Sequence, residues 1–119
     1  MPNASLPMVL IADDDPEMRA YIRHGLGDAR VVEAGDGAEA LAMALDAAPD
    51  LVIADVQMPG LDGYALCTAL HADALTRHVP VLIVSGEPPD GGACASGFLA
   101  KPFNAARLRA AVAPLLSRA

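Results

Sequence analysis

The sequence predicts an α/β fold in which helices cover both faces of a parallel sheet. Two short continuous apolar runs, Met8–Ala12 and Leu51–Ala54, are typical of strands that are buried on both faces. The segments between such runs repeat apolar residues at helical spacing. Five strands that alternate with helices favour a parallel sheet with right-handed crossovers. With 119 residues, the chain is expected to be a single domain over residues 1–119, with its core between about residues 8 and 116.

The first helix has recognisable ends. Asp15 can cap it, with Pro16 at the first helical position, and Gly27 is suited to ending it. Three apolar positions share one helical face: Met18, Ile22 and Leu26. This spacing predicts a helix that buries one face against the first strand.

The second strand and helix follow the same logic. Arg30–Ala34 is a short strand, Gly35–Gly37 is a turn, and Pro49 stops the helix that comes next. The apolar residues of that helix are predicted to share a face: Ala38, Leu41, Ala42 and Leu45. Leu51–Ala54 is then the third strand.

The second half of the chain continues the alternation. Turn residues fill Pro59–Gly63, and a helix is predicted from Tyr64 to about Asp73. Val79–Val84 is the fourth strand, and Phe98–Ala100 belongs to the fifth. The last helix is predicted to begin at Asn104, which can cap it, and to kink or end early at Pro114.

Composition narrows the classes of function. The chain is 54% hydrophobic but only 3% aromatic, so small aliphatic side chains must fill its core. A net charge of −7 opposes attraction to phosphate backbones, so direct nucleic-acid binding is not expected. No apolar run approaches the roughly 20 residues of a membrane helix. Residues 1–7 lack a basic signal-peptide region, and a cytoplasmic location is expected.

The thiols and imidazoles suggest no metal centre at this level. Cys67 and Cys94 form no CxxC pair, and His24, His71 and His78 show no ligand spacing supported by other donors. Neither a zinc site nor a disulfide is predicted, and both cysteines are interpreted as structural.

Polar side chains follow four of the predicted strands. Asp13–Asp15 follows the first, Asp55 the third, Ser85 the fourth and Lys101 the fifth. Singly, each has an ordinary structural explanation as a helix cap, an Asx turn, a loop start or a surface turn. Because the carboxyl ends of parallel strands meet at one edge of a sheet, the four together predict a site there.

Together these residues resemble the receiver domain of two-component response regulators, from about Met8 to Leu116. The resemblance implies a flavodoxin-like, doubly wound sheet with strand order 2-1-3-4-5. It also implies a signalling switch and phosphoprotein, not an enzyme. Such a switch accepts a phosphoryl group on Asp55 from a sensor histidine kinase or a phosphotransfer protein and then changes its interaction surface.

The resemblance further implies a Mg²⁺ ion. Clustered carboxylates repel one another unless a hard divalent cation bridges them. Asp14 and Asp55 are the expected carboxylate ligands, Asp13 is expected to act through water, and the backbone carbonyl of Gln57 is the expected third protein ligand.

Three more roles are carried over from the family. Lys101 is expected to pair with Asp55 and then with the phosphoryl group, while the Ser85 hydroxyl donates to a phosphoryl oxygen. Phe98, three residues before Lys101, stands at the position of an aromatic switch. A core phenylalanine is the alternative, and both interpretations predict a buried ring. The bond from Lys101 to Pro102 is expected to be cis.

One departure from the family concerns the connection from Ser85 to Lys101. It spans 16 positions, about six fewer than usual, which corresponds to more than about one and a half helical turns. The segment 86–97 is rich in glycine and proline, so the helix expected there should be short or absent. Unless the glycine- and proline-rich loop folds over them, part of Val81–Val84 and Phe98–Ala100 should then be exposed and form a contact surface for a homodimer or an output partner.

Two other functions stay open. A pseudo-receiver would bind partners without phosphorylation, and the rebuilt connection after Ser85 is compatible with it. An aspartate-nucleophile phosphohydrolase would share the chemistry of Asp55 but needs a second acid two residues later, where Gln57 stands.

Overall fold

The computed structural model describes residues 6–86 and 94–116. Its strands form one parallel sheet in the order β2-β1-β3-β4-β5. The elements in chain order are β1 (Met8–Ala12), α1 (Pro16–Leu26), β2 (Arg30–Ala34), α2 (Gly37–Ala47), β3 (Leu51–Asp55), α3 (Gly63–Ala72), β4 (Val81–Ser85), β5 (Gly97–Ala100) and α4 (Ala105–Leu116). The predicted fold class and strand order are confirmed.

Helices cover both faces of the sheet, as the continuous apolar strands require. Alternate residues of each strand point to opposite faces. Leu10, Val52 and Ile83 belong to the core shared with α2 and α3, whereas Ile53 and Leu82 belong to the core shared with α1 and α4. The central strand β3 is buried along its whole length, and its last residue is therefore held firmly.

Short polar caps fix where the helices begin. The carboxylates of Asp15, Asp36 and Asp62 accept backbone N–H bonds at the starts of α1, α2 and α3, and Asn104 does so for α4. These side chains satisfy N–H groups that have no partner within the helix. The predicted caps at Asp15 and Asn104 are confirmed.

The face of α2 that the apolar spacing predicted is not its most buried face, although Leu41 on it packs against the core. The buried positions are Gly37, Ala40 and Ala44, while Ala38 and Ala42 are exposed. A Cβ on Gly37 would lie 1.9 Å from the carbonyl oxygen of Leu61. Because Gly37 packs so closely against Leu61, the buried face of α2 must consist of small residues. The spacing of apolar residues in the sequence does not reveal this requirement.

The last helix does not end early at Pro114, which was one of the two outcomes predicted there. Helix α4 continues through Pro114 to Leu116. Pro114 removes only one backbone bond near the end of the helix. Leu115 and Leu116 pack against the core beyond it, and this packing favours the helical path.

No helix lies between β4 and β5 within the described residues. The predicted glycine- and proline-rich loop falls mostly on residues 87–93, which lie outside them, and Cys94–Ser96 is not helical. Val81–Val84 do not contribute to the surface that the sequence predicted to be exposed, because their side chains pack into the cores on the α3 and α4 sides of the sheet. Phe98 and Ala100 on the edge strand are exposed, as predicted.

Among the described residues, none of the helices has the length and apolar character that a membrane span requires.

Candidate functional site

The Asp55 carboxylate is anchored at the end of the central strand. Its side chain is only 8% exposed. Oδ1 accepts the backbone N–H of Gln57 at 3.1 Å, and Oδ2 accepts a hydrogen bond from Nζ of Lys101 at 2.8 Å. Two fixed donors therefore orient the carboxylate at the carboxyl edge of the sheet, where the sequence placed it.

The backbone of Asp55 is packed against the start of α3. The N–H of Gly63 donates to the carbonyl oxygen of Val56 at 3.1 Å. A Cβ on Gly63 would lie 2.5 Å from the carbonyl oxygen of Asp55 and 3.0 Å from Cα of Val56. Only a residue without a side chain permits this approach, so the Gly63 position bears directly on the geometry of Asp55.

Two more carboxylates face Asp55 from the end of β1. One oxygen each from Asp13, Asp14 and Asp55 lies within 4.8 Å of the others. Asp13 is buried and Asp14 is exposed. Oδ1 of Asp13 accepts the N–H of Asp15 at 2.9 Å, whereas its Oδ2 is buried and has no hydrogen-bond partner among the described residues.

This arrangement fits a hard divalent cation. The pKa of Asp13 is raised to about 6, chiefly by burial and also by the neighbouring charge of Asp55. The N–H of Asp15 and the charge of Lys101 act in the opposite direction and lower it. A buried carboxylate oxygen normally has a partner, and carboxylate oxygens are the ligands that Mg²⁺ prefers. The three carboxylates could thus hold such an ion together.

Arg19 supports the end of β1 and was missed in the sequence analysis. Its Nη1 donates to the backbone carbonyl of Asp13 at 2.6 Å, and its Nε donates to Glu33 on β2 at 2.9 Å. Arg23 pairs with the same Glu33. An arginine on an amphipathic helix ordinarily indicates a solvated face, so no sequence signal marked this contact.

Lys101 joins β5 to the carboxylate cluster. Burial alone would lower the pKa of this amine, but the hydrogen bond and charge of Asp55, with the charges of Asp13 and Asp15, outweigh burial and raise it. Lys101 is therefore charged at neutral pH. Its peptide bond to Pro102 is cis, as the resemblance implied.

Ser85 lies beside Lys101 at the same edge. The backbone N–H of Lys101 donates to the carbonyl oxygen of Ser85 at 2.8 Å, and Ser85 pairs with Ala100, the residue before the lysine, in the sheet register. Ser85 is half-buried. The structure thus brings together all the residues that the sequence placed at this edge.

The predicted burial of Phe98 was wrong, because its side chain is 41% exposed. β5 is an edge strand whose alternate residue, Leu99, packs into the core on the α4 side. Phe98 is opposite Ile83 in the sheet register and points to the other face, where no helix covers β5 within the described residues. This exposure contradicts the buried ring that both interpretations of Phe98 predicted, but it agrees with the separate expectation that part of Phe98–Ala100 would be uncovered.

Comparison with known proteins identifies the family. The model of the response regulator receiver domain matches residues 9–113, which includes every residue of the site described above. The chain belongs to the response regulator receiver family.

Relatives of this receiver domain occur in several kinds of protein. It is 37% identical over 118 residues to the sensor histidine kinase TmoS of Ectopseudomonas mendocina, covering 93% of this chain and 12% of the kinase. It is 39% identical over 120 residues to the transcriptional regulatory protein PrrA of Mycobacterium tuberculosis, covering 94% of this chain and 51% of PrrA. The chain therefore spans about half or less of these curated relatives.

A solved structure matches along its whole length. The chemotaxis response regulator CheY4 of Vibrio cholerae superimposes with a TM-score of 0.88 at 32% identity, covering 94% of this chain and 100% of CheY4. Receiver domains are signalling switches and not enzymes, so the predicted signalling role in two-component systems is confirmed at that level.

Proposed function

We propose that this receiver domain is switched by phosphorylation of Asp55 in a Mg²⁺-dependent reaction. The observation that carries the proposal is the fixed Asp55 carboxylate, held by Lys101 at 2.8 Å and faced by Asp13 and Asp14. An Asp55 oxygen attacks the phosphorus of the donor as the bond from phosphorus to the donor's leaving atom breaks. The product is an acyl phosphate on Asp55.

The acidic cluster supplies the metal site in this proposal. The carboxylates of Asp13, Asp14 and Asp55, with the backbone carbonyl of Gln57, would hold Mg²⁺. When bound there, the ion would offset the negative charge of the phosphoryl oxygens. The unpartnered buried oxygen of Asp13 supports a direct ligand role for it, beyond the water-mediated role expected from the resemblance.

Lys101 and Ser85 carry the signal in this proposal. The Lys101 amine moves its hydrogen bond from the Asp55 carboxylate to a phosphoryl oxygen, and the Ser85 hydroxyl donates to another. Both residues are joined through the backbone bond between β4 and β5. A change at Asp55 therefore acts on the edge strand β5, which carries the exposed Phe98.

Partners follow from the chemistry of the switch. A sensor histidine kinase or a phosphotransfer protein is the proposed source of the phosphoryl group. The exposed Phe98 and Ala100 on β5 are the proposed contact for a second copy of the chain or an output partner, which would respond to the state of Asp55.

The direct test is intact-mass spectrometry after incubation with Mg²⁺ and a small phosphodonor such as acetyl phosphate. We expect one phosphoryl group per chain, and none when the metal is chelated. A chain that stays unmodified under these conditions and with phosphorylated kinases would instead favour a pseudo-receiver. Rapid release of inorganic phosphate over many turnovers would favour a phosphohydrolase.

Asp14 and Asp15 are adjacent acids with different predicted roles. Asp14→Ala is expected to weaken Mg²⁺ binding strongly, because it removes a carboxylate of the cluster. Asp15 accepts the N–H of Glu17 at 2.9 Å as the cap of α1, so Asp15→Ala should lower the free energy of unfolding by about 1 kcal/mol. Mg²⁺ titration and chemical denaturation of both variants separate these effects. Equal losses of Mg²⁺ affinity would contradict the assignment.

Mg²⁺ affinity is predicted to fall as the pH falls through 6. Protons and the metal compete for Asp13, whose pKa is raised to about 6. At one pH unit below that pKa the apparent affinity should be about tenfold weaker. Equal Mg²⁺ affinity at pH 5 and pH 7.5 would refute the competition.

The free energy of unfolding of the metal-free protein depends on pH in the opposite direction. The folded state binds the proton of Asp13 more tightly than the unfolded chain does, so the folded state loses stability as the pH rises from about 4 to 6.

Lys101→Ala is predicted to uncouple phosphorylation from the conformational response. The variant keeps the Asp55 nucleophile but loses the cation that links β5 to it at 2.8 Å. Phosphorylation-dependent NMR shifts at Ser85 and Phe98 should be largely lost, while labelling of Asp55 remains measurable. Arg107→Ala, which removes an exposed cation from α4, is the control and should respond normally. Normal shifts in the Lys101 variant would show that the amine has no coupling role.

A further inference from the structure

Cys67, His71 and Cys94 form a cluster that no part of the phosphorylation site uses. Cys67 and His71 lie four residues apart on α3, and Cys94 lies just before β5. One sulfur from each cysteine and one imidazole nitrogen are within 4.8 Å of one another. Sγ of Cys67 is 4.0 Å from Nδ1 of His71. The sequence showed no metal-ligand spacing for these three residues. The fold nevertheless brings them together.

The imidazole of His71 is oriented as a metal ligand would be. Its Nε2 is 3.3 Å from the backbone carbonyl oxygen of Val79. A carbonyl can only accept, so this contact places the imidazole proton on Nε2. In the neutral ring, Nδ1 then carries a lone pair that faces Cys67. Histidines that bind metals commonly donate their other N–H to a carbonyl in this way.

The distances are close to those of a tetrahedral centre. Metal bonds of about 2.3 Å to sulfur and 2.0–2.1 Å to nitrogen place neighbouring ligand atoms roughly 3.5–3.8 Å apart. The observed 4.0 Å between Cys67 and His71, and the limit of 4.8 Å for the whole cluster, require each ligand atom to move inward by less than about 1 Å. Side-chain rotation can supply such a movement.

We propose that Cys67, His71 and Cys94 bind one thiophilic divalent cation of the Zn²⁺ type, with a fourth position left for water. Each thiol loses its proton as its bond to the metal forms, so two protons are released per ion. Two thiolates balance the charge of the ion, which suits a site that includes the buried Cys67.

The cluster is separate from the acidic site. His71 is bonded to Val79, which precedes β4, whereas Asp55 ends β3 at the opposite edge of the parallel sheet. A bound ion would tie α3 to the segment that leads into β5. It would therefore restrain the connection that follows Ser85, at a point far along that connection from Ser85 itself.

A disulfide between the two cysteines accounts for less of this arrangement. A disulfide bond does not require an imidazole oriented toward Cys67, so it leaves the orientation of His71 unexplained. Burial and the adjacent Cys94 also raise the pKa of the Cys67 thiol, which makes it a poor nucleophile for disulfide exchange. A cation lowers that barrier, because it stabilises the thiolate directly.

The test is titration of the reduced, metal-free full chain with Co²⁺ and Zn²⁺ in the presence of excess Mg²⁺, which occupies the acidic cluster. We expect one Co²⁺ per chain with sulfur-to-cobalt charge-transfer absorption, and its displacement by one Zn²⁺. His71→Gln and Cys94→Ser should each weaken binding by more than the roughly 10- to 100-fold that loss of an outer partner costs. His24→Gln, on the exposed face of α1, is the matched control and should bind normally.

Three outcomes would overturn the proposal. The first is the absence of charge-transfer absorption in the wild-type chain, which requires no variant to fold. The second is equal affinity in His71→Gln and His24→Gln. The third is a protein that, purified without reductant, has lost the mass of two hydrogens through a disulfide and gains no metal affinity on reduction. Phosphorylation of Asp55 is measured separately by mass, so none of these three outcomes decides whether the proposed phosphorylation is correct.

Discussion

Replacing Asp55 with Asn is expected to abolish phosphorylation of the domain. The amide is nearly the same size as the carboxylate, so the buried pocket at the end of β3 should remain filled. However, the amide is neutral and lacks the nucleophilic oxygen, and it cannot form the ion pair with Lys101 at 2.8 Å. Intact-mass spectrometry with Mg²⁺ and acetyl phosphate should show full labelling of the wild type and none of the variant.

Asp62→Asn is the matched control for this experiment. Asp62 is an exposed cap that accepts the N–H of Ala65 at 2.8 Å, and Asn caps helices about as well as Asp. This variant should be labelled like the wild type. Labelling of Asp55→Asn at the same stoichiometry would place the phosphoryl group elsewhere and would remove the basis for the proposed switch.

The fold was predictable because its signals are local and repeated. β3 and β1 are continuous apolar runs, which only burial on both faces explains. Capping residues such as Asp15 and Asn104 mark helix starts by a mechanism that needs no tertiary context. The site followed from topology, since parallel strands bring their carboxyl ends to one edge, and Asp55 and Lys101 meet there.

What the sequence did not predict depends on packing between distant segments. The sequence supported both a buried and an exposed Phe98, and only its place on an edge strand, with no covering helix on that face among the described residues, decides for exposure. The buried face of α2 depends on the approach of Gly37 to Leu61. Arg19 binds the backbone of Asp13, a contact that no residue type or spacing announces.

The sequence did not predict the thiol cluster, although the spacing of two of its three members is visible in the sequence. Cys67 and His71 stand four residues apart on a helix, the spacing that places two side chains on one face. The third member, Cys94, lies 27 residues after Cys67 in the sequence. Its approach depends on how the segment before β5 returns to α3, which only the folded chain shows.

Gly63→Ala is expected to destabilise the domain and to impair phosphorylation together. The new methyl group would lie 2.5 Å from the carbonyl oxygen of Asp55 and 3.0 Å from its carbonyl carbon. These are backbone atoms, so no side-chain rotation relieves the clash, and either β3 or the start of α3 must shift. Overpacking of this kind costs about 1–3 kcal/mol, and more where the backbone is fixed. Because the shift acts on Asp55 itself, the rate of labelling should fall as well.

The variant Gly35→Ala distinguishes this clash from a general effect of replacing glycine. A Cβ there would make ordinary contacts, the nearest at 3.7 Å to the end of the Glu39 side chain. Chemical denaturation should therefore give Gly35→Ala nearly the free energy of unfolding of the wild type, and Gly63→Ala a clearly lower one. If Gly63→Ala matched the wild type in stability and in labelling rate, the start of α3 would be free to move away from β3. The close packing of α3 would then not be what fixes the Asp55 carboxylate, and its two donors, Lys101 and the N–H of Gln57, would have to position it alone.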